Sequence, residues 1–268
     1  MSIIKILFIG DIIGKPGLSM VETWIPGLIK KYKADFVIAN GENASDGKGC
    51  TVKEGELLFK LGIHVITGGN HTLDKFQSQD YLKVEPRSLR PLNYPRGTRG
   101  FGYFIAETEK GKIAVLNLQG RTFMPTIDCP FRSAEWAISK FKNETKVIIV
   151  DMHAEATAEK IAMSNFLDGK VSALLGTHTH IQTSDERILP NGTAYITDVG
   201  MTGPYDSVIG MKVQPALNRF LYQTPQKYET AKDDVHLCGI FLKINQETGK
   251  AVEIERIIFP EFETKQSE

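Results

Sequence analysis

Hydrophobic positions in the first part of the chain fall in short, nearly continuous runs at Ile3–Ile9, 36–39 and 64–67. Between them lie stretches over about 17–32 and 53–61 whose apolar residues recur every three to four positions. Such runs joined by amphipathic helices predict βαβ units around a sheet covered on both faces. Pro26 falls inside the first predicted helix and is expected to kink or split it. The pattern then changes. Runs at 102–108 and 112–118, joined by Glu109-Lys110-Gly111, predict an antiparallel hairpin. After these come a helix near 132–141, a run at 147–150, a helix over about 156–166 and a run at 173–175, then hairpins turning at Pro190-Asn191-Gly192 and Glu247-Thr248-Gly249. The mixture predicts an α/β protein built as a four-layer αββα sandwich, two mixed sheets packed together and flanked by helices. Residues 1–263 are expected to form one domain, with a short tail at 264–268.

The polar clusters at the ends of these runs carry the chemistry. Ile3–Ile9 leads to Gly10-Asp11, the second run to Asn40-Gly41-Glu42-Asn43, and the third to Gly68-Gly69-Asn70-His71. Later runs lead to Asp151-Met152-His153-Ala154-Glu155 and to Gly176-Thr177-His178-Thr179-His180. The C-terminal ends of parallel strands share one rim of a sheet, so these five clusters can converge there. Four of the six histidines sit in them. Imidazole with carboxylate and amide oxygen, and no thiolate, suits borderline divalent metals such as zinc, manganese and iron. Taken singly, Asp11, Asn43 and Asn70 have bland readings as turn or cap residues. Glu42 neither caps a helix nor covers a solvated face, which points to a bridging position between metals.

Composition narrows the partners. Lys plus Arg (32) balances Asp plus Glu (32), so no whole-surface field favours an extended nucleic-acid surface or a membrane. Three cysteines without a CxxC pair fit a reducing, cytoplasmic setting. The N-terminal apolar stretch meets Asp11 too early for a signal sequence or a spanning helix. The glycine-rich segment from Gly41 to Lys48 has one residue too many for a P-loop and lacks the Ser or Thr after its lysine, and no GxSxG elbow occurs. A homo-oligomer is only a base-rate expectation.

In this order, the five clusters resemble the calcineurin-like metallophosphoesterases, and specifically the bacterial YmdB-like branch of 2′,3′-cyclic nucleotide phosphodiesterases. The stretch from Thr197 through Asp198 and Gly200 to Pro204 is similar to that branch as well. The superfamily pattern begins Asp-x-His, whereas Ile13 stands at that histidine's place. Asn43 would substitute an oxygen, and Glu42 replaces the usual bridging aspartate, as the branch has it. The resemblance implies two metal ions per chain, iron or manganese foremost, with zinc or magnesium as alternatives. It implies a first ion held by Asp11, Glu42, Asn43 and His180 and a second by Glu42, Asn70, His153 and His178. It further implies a small cyclic nucleotide substrate, in-line attack by a bridging water and His71 as proton donor. A phosphomonoesterase, a nuclease and a nucleotide-sensing regulatory protein stay open as alternatives. Asp74 is read first as an acid at a helix N-terminus and second as an orienting partner of His71. Asp151 is either a support for His153 or a helix cap. Phe101, Phe123 and Tyr205 are candidate stacking aromatics whose default is core packing.

Overall fold

The computed structural model describes residues 2–262; the tail expected at 264–268 lies outside the described residues. The first half runs β1 (Ile3–Ile9), β2 (Asp11–Ile12), α1 (Gly14–Tyr32), β3 (Phe36–Asn40), α2 (Val52–Lys60), β4 (Val65–Thr67) and α3 (Phe76–Val84). Then come β5 (Tyr103–Thr108), β6 (Gly111–Gln119), α4 (Pro130–Phe141), β7 (Ile148–His153), α5 (Thr157–Leu167) and β8 (Ala173–Thr177). The chain finishes with β9 (Arg187–Ile188), β10 (Ala194–Ile196), β11 (Met201–Pro204), α6 (Val213–Tyr222), β12 (Val235–Asn245) and β13 (Ala251–Phe259). None of the described helices is long and apolar enough to cross a membrane.

Two mixed sheets result. The first has the order β2-β11-β12-β1-β3-β4, with β13 pairing along β12, and the second the order β5-β6-β7-β8-β10-β9. β1, β3 and β4 run parallel to their neighbours in that series, as do β6, β7 and β8.

Strand alternation sets the layers. Ile4, Ile6 and Phe8 of β1 and Phe36 and Ile38 of β3 meet Ile113, Val115, Ile149 and Leu175 of the other sheet in an apolar layer between the sheets. Leu7, Ile9 and Val37 point the opposite way, onto Leu18, Val21, Ile25 and Leu28 of α1 and Leu58 of α2. On the far side, Leu116, Leu118 and Val150 pack on Ala134, Ala137 and Phe141 of α4 and Met163 and Leu167 of α5. Three apolar layers between four structural layers are the αββα sandwich that the pattern predicts.

α1 differs from expectation. It starts at Gly14 rather than near 17, and it continues through Pro26 instead of splitting there. The physical reason is orientation. Pro26 and Glu22, whose carbonyl the proline leaves without a helical partner, are both exposed, so water can satisfy that carbonyl. Meanwhile Val21, Ile25 and Leu28 hold the buried face of the helix on the sheet. α2 starts as its sequence asks, with the Glu54 carboxylate accepting the Thr51 backbone N–H at 3.1 Å.

A proline inside a helix costs about 3 kcal/mol relative to alanine. Pro26→Ala is therefore expected to stabilise the fold by about 1–3 kcal/mol, read as a raised urea midpoint with an unchanged denaturant slope.

Candidate metal centre

Every predicted site residue lies at the C-terminal end of a parallel strand, and the two sheets divide the donors by element. The first sheet contributes oxygen: Asp11 in β2, Glu42 and Asn43 in the turn after β3, and Asn70 beyond β4. The second contributes nitrogen: His153 closes β7, and His178 and His180 come after β8. The rim between the sheets is where the two sets meet.

His153 Nε2 stands at the middle. It lies 3.1 Å from Glu42 Oε1, 3.0 Å from Asn70 Oδ1 and 3.0 Å from His178 Nδ1. Asp11 Oδ2 accepts the His178 backbone N–H at 3.1 Å, and Asp11 Oδ1 lies 3.9 Å from His153 Nδ1. Asn43 Nδ2 donates to Glu42 Oε1 at 3.0 Å and comes within 3.5 Å of His180 Nε2. All of these except Asn70 and His178 are buried.

Each imidazole is fixed from behind. His153 Nδ1 faces Thr177 Oγ1 at 2.9 Å, and that hydroxyl donates onward to Asp151 Oδ1 at 2.7 Å. His178 Nε2 pairs with Glu155 at 3.0 Å, and His180 Nδ1 donates to the Ile209 carbonyl at 2.9 Å. A ring nitrogen held this way turns the opposite nitrogen toward the centre, the arrangement metal-bound histidines use.

These inward groups are ill-suited to one another alone. Two imidazole nitrogens face at 3.0 Å, and Asp11 Oδ1, fully buried, has no hydrogen-bond partner among the described residues. An unpaired buried carboxylate oxygen is expensive unless positive charge offsets it. Burial opposes ionisation of Glu42, yet the neighbouring His153 and His71 hold it well below the usual carboxylate range. Burial likewise opposes charging of His153, but Glu42 and Asp11 push it up to about 9. Burial, reinforced by His153, pushes His178 down to about 3 and keeps it neutral. Asp11 is raised, chiefly by burial. The donor set therefore fits a cation, and atoms of Glu42, His153 and His178 all lie within 4.8 Å of one another.

Gly69 shows how tight the packing is. A Cβ there would stand 2.3 Å from the His153 ring and 2.4 Å from Glu42 Oε2. His178 and His180 adopt left-handed backbone, at φ 98° and 66°, which for non-glycine residues marks a conformation imposed by surroundings.

Of the two flanking acids, Asp74 departs from its first reading and Asp151 takes one of the two left open. Asp74 is not a helix N-terminal acid, since α3 starts at Phe76 with no acid in its first turn. Its Oδ2 contacts His71 Nδ1 at 2.9 Å, while the His71 backbone N–H donates to Glu42 Oε2 at 2.9 Å. Among the described residues His71 Nε2 has no partner. Asp151 is not a cap, because it lies within β7 and α5 starts at Thr157; it supports His153 through Thr177. Burial pushes its carboxyl up to about 7. Of the aromatics, Tyr205 packs against His236 and Phe262, whereas Phe123 is 89% exposed and Phe101 44%.

The profile of the family described as YmdB-like protein matches residues 7–257. The chain belongs to this YmdB-like family. It is 48% identical over 254 residues to the 2′,3′-cyclic-nucleotide 2′-phosphodiesterase of Bacillus subtilis (strain 168), an alignment spanning 95% of this chain and 96% of that protein. A solved structure of a novel phosphatase from Mycoplasma pneumoniae superposes with a TM-score of 0.91 at 36% identity, covering 97% of this chain and 94% of that one. The 5′-nucleotidase of Candida albicans SC5314, at 12% identity and a TM-score of 0.56 over 95% of this chain and 50% of that one, shares the fold alone. The fold of the YmdB-like chain is the calcineurin-like metallophosphoesterase fold.

The YmdB-like chain also contains a support in the stretch from Thr197 to Pro204, which the resemblance marked without giving it a role. Residues 197–200 carry the chain from β10 in the second sheet to β11 in the first. Asp198 on this strap is fully buried and pairs with the equally buried Lys160 of α5 at 2.9 Å. Its Oδ2 also accepts the Thr179 backbone N–H at 3.0 Å and the Thr179 hydroxyl at 2.6 Å, holding the residue between His178 and His180. The strap lies flush on the strand below it: a Cβ on Gly176 would be 1.8 Å from the Thr197 carbonyl. On its other side the Gly200 carbonyl accepts the Asp11 N–H at 3.1 Å.

Removing one partner of a buried ion pair costs about 3–5 kcal/mol, because the other charge stays buried. Lys160→Met is expected to lower unfolding free energy by about that amount, measured by urea denaturation.

Proposed function

We propose that this enzyme, a phosphoric diester hydrolase, opens 2′,3′-cyclic nucleotides at a centre of two cations. One cation is assigned to Asp11, Glu42, Asn43 and His180, the other to Glu42, Asn70, His153 and His178, with iron or manganese as the preferred metals. The observation that carries the reading is the convergence on His153 Nε2 of a carboxylate, an amide oxygen and a second imidazole, all within 3.1 Å. The Bacillus subtilis relative supports the substrate class. Three free thiols support a cytoplasmic location.

When bound, such cations supply Lewis acidity toward the phosphoryl oxygens and acidify a water enough for attack near neutral pH. The protein's own groups do the rest. Glu42 would be the shared ligand; its Oε1 faces His153 and Asn43, and its Oε2 is anchored by the His71 N–H. Asn43 presents its nitrogen to Glu42 and His180; a half-turn of the amide would bring its oxygen there to hold a cation. In-line attack at phosphorus breaks the bond to the departing ribose oxygen, and that oxygen takes a proton from His71 Nε2. Asp74, 2.9 Å from Nδ1, orients the ring and stabilises its protonated form.

Hydrolysis of 2′,3′-cyclic nucleotides, assayed with added Mn²⁺ beside metal analysis of the purified protein, tests the proposal. Turnover of a monoester such as p-nitrophenyl phosphate in preference to its bis-ester would refute the diesterase assignment. His71→Ala should lower kcat by about 10²–10⁴-fold, the usual worth of general acid catalysis, while metal content stays at the wild-type level. Glu42→Ala should strip both ions; metal content equal to wild type would refute the shared ligand.

A further inference from the structure

The last inward position of β6 faces the same space as the histidines. Gln119 is the register partner of His153 in the adjacent parallel strand, and the Gly120 N–H donates to the His153 carbonyl at 2.9 Å. Register partners in parallel strands turn their side chains to the same face. Both faces of β6 confirm which one this is. On the inner face, Ile113 and Val115 join the layer between the sheets. Asn117 spans to the first sheet, accepting the Gly68 N–H at 2.9 Å and donating to the Gly68 carbonyl at 3.0 Å. On the outer face, Leu118 packs among the residues of α4 and α5, and a Cβ at Gly120 would stand 2.6 Å from that of Ala154. Gln119 therefore projects inward, about 6.6 Å along the strand from Asn117, toward the turn that carries Asn70 and His71. Its neighbour His153 reaches Asn70 Oδ1 there at 3.0 Å.

Three contacts hold Gln119 and leave one group free. Asn93 Oδ1 accepts the Gln119 backbone N–H at 2.9 Å, and Asn93 Nδ2 donates to its carbonyl at 2.8 Å. The Tyr94 hydroxyl donates to Gln119 Oε1 at 3.2 Å. Nε2 is fully buried and has no hydrogen-bond partner among the described residues. A buried amide N–H without an acceptor costs stability, and the clamp on every other polar atom of the residue holds Nε2 in that position.

Asp11 Oδ1, the partnerless atom on the facing sheet, has the opposite need. A carboxylate oxygen calls for a cation, whereas an amide N–H repels cations and calls for an oxygen acceptor. An oxyanion held by metal satisfies both, with the cation at Asp11 and an oxygen at Gln119. Donation from an amide to an anionic oxygen is one of the stronger classes of hydrogen bond.

We propose that Gln119 is a substrate-binding residue, whose Nε2 donates to a non-bridging phosphoryl oxygen of the cyclic phosphate on the side of the centre where Asn70 and His71 stand. The proposal rests on the phosphodiesterase reading of that centre. Gln119→Met, which keeps the length of the side chain and removes the donor, tests it. With metal content at the wild-type level, kcat/KM for a 2′,3′-cyclic nucleotide should fall about 10–100-fold, the worth of one hydrogen bond to a charged group. The urea midpoint of the metal-free variant should equal or exceed that of metal-free wild type, because an unsatisfied donor is gone and the half-buried Tyr94 hydroxyl can turn to water. An unchanged kcat/KM, or a loss that comes with a lowered midpoint, would overturn the assignment. Should Gln119→Met fail to fold, Tyr94→Phe decides instead: it releases Oε1 and should lower kcat/KM in the same direction, and wild-type kcat/KM would overturn the assignment. Calorimetric titration of the Mn²⁺-loaded protein with inorganic phosphate separates this proposal from the reading beneath it. Phosphate binding that weakens about tenfold in Gln119→Met, in a protein that turns over no cyclic nucleotide, would reject the hydrolytic reading and leave the donor standing. Phosphate binding unchanged by the substitution, in a protein that does hydrolyse cyclic nucleotides, would reject the donor alone.

Discussion

A carboxylate sealed from water must find positive charge and hydrogen-bond donors, and Asp198 does so in a way that organises the whole rim. Its partner Lys160 comes from a helix on the outer face of the second sheet, its donors come from the loop bearing two of the three imidazoles, and its own backbone lies on the strap between the sheets. Because neither charge can be left alone without a penalty of several kcal/mol, helix, loop and strap are held in one relative position. The left-handed conformations of His178 and His180 flank Thr179, the residue that Asp198 holds by its N–H and hydroxyl.

The same logic runs through the imidazoles. Each is gripped at its outer nitrogen by a different acceptor, a hydroxyl for His153, a carboxylate for His178 and a carbonyl for His180. The inner nitrogens then face a space that carboxylates also face. A single cation can satisfy nitrogen and oxygen donors aimed at one space together.

Much of this was legible in the order of residues. Runs of β-forming residues ending in polar clusters located the strand ends, and all eight predicted site residues lie on the rim, because strand direction alone decides which end of a sheet a loop occupies. Of the kink or split expected at Pro26, the split does not occur, because on the exposed side of α1 water can satisfy the carbonyl that the proline leaves unpaired. Pattern failed for Lys160 and Asp198, since a lysine in an amphipathic helix reads as a solvated residue until its partner's position is known. Asp74 was misread for a related reason: three residues from His71, it served either a helix or the histidine, and only the start of α3 decides between them.

The division of donors between the sheets, oxygen on one and nitrogen on the other, means that neither half of the molecule owns a working centre. A chain emerging from synthesis with only its first sheet formed offers hard oxygen sites of low selectivity; one with only its second offers bare imidazoles. The proposed centre comes together only when the apolar layer between the sheets closes, so any event that slid one sheet against the other would take it apart without altering a single one of its side chains.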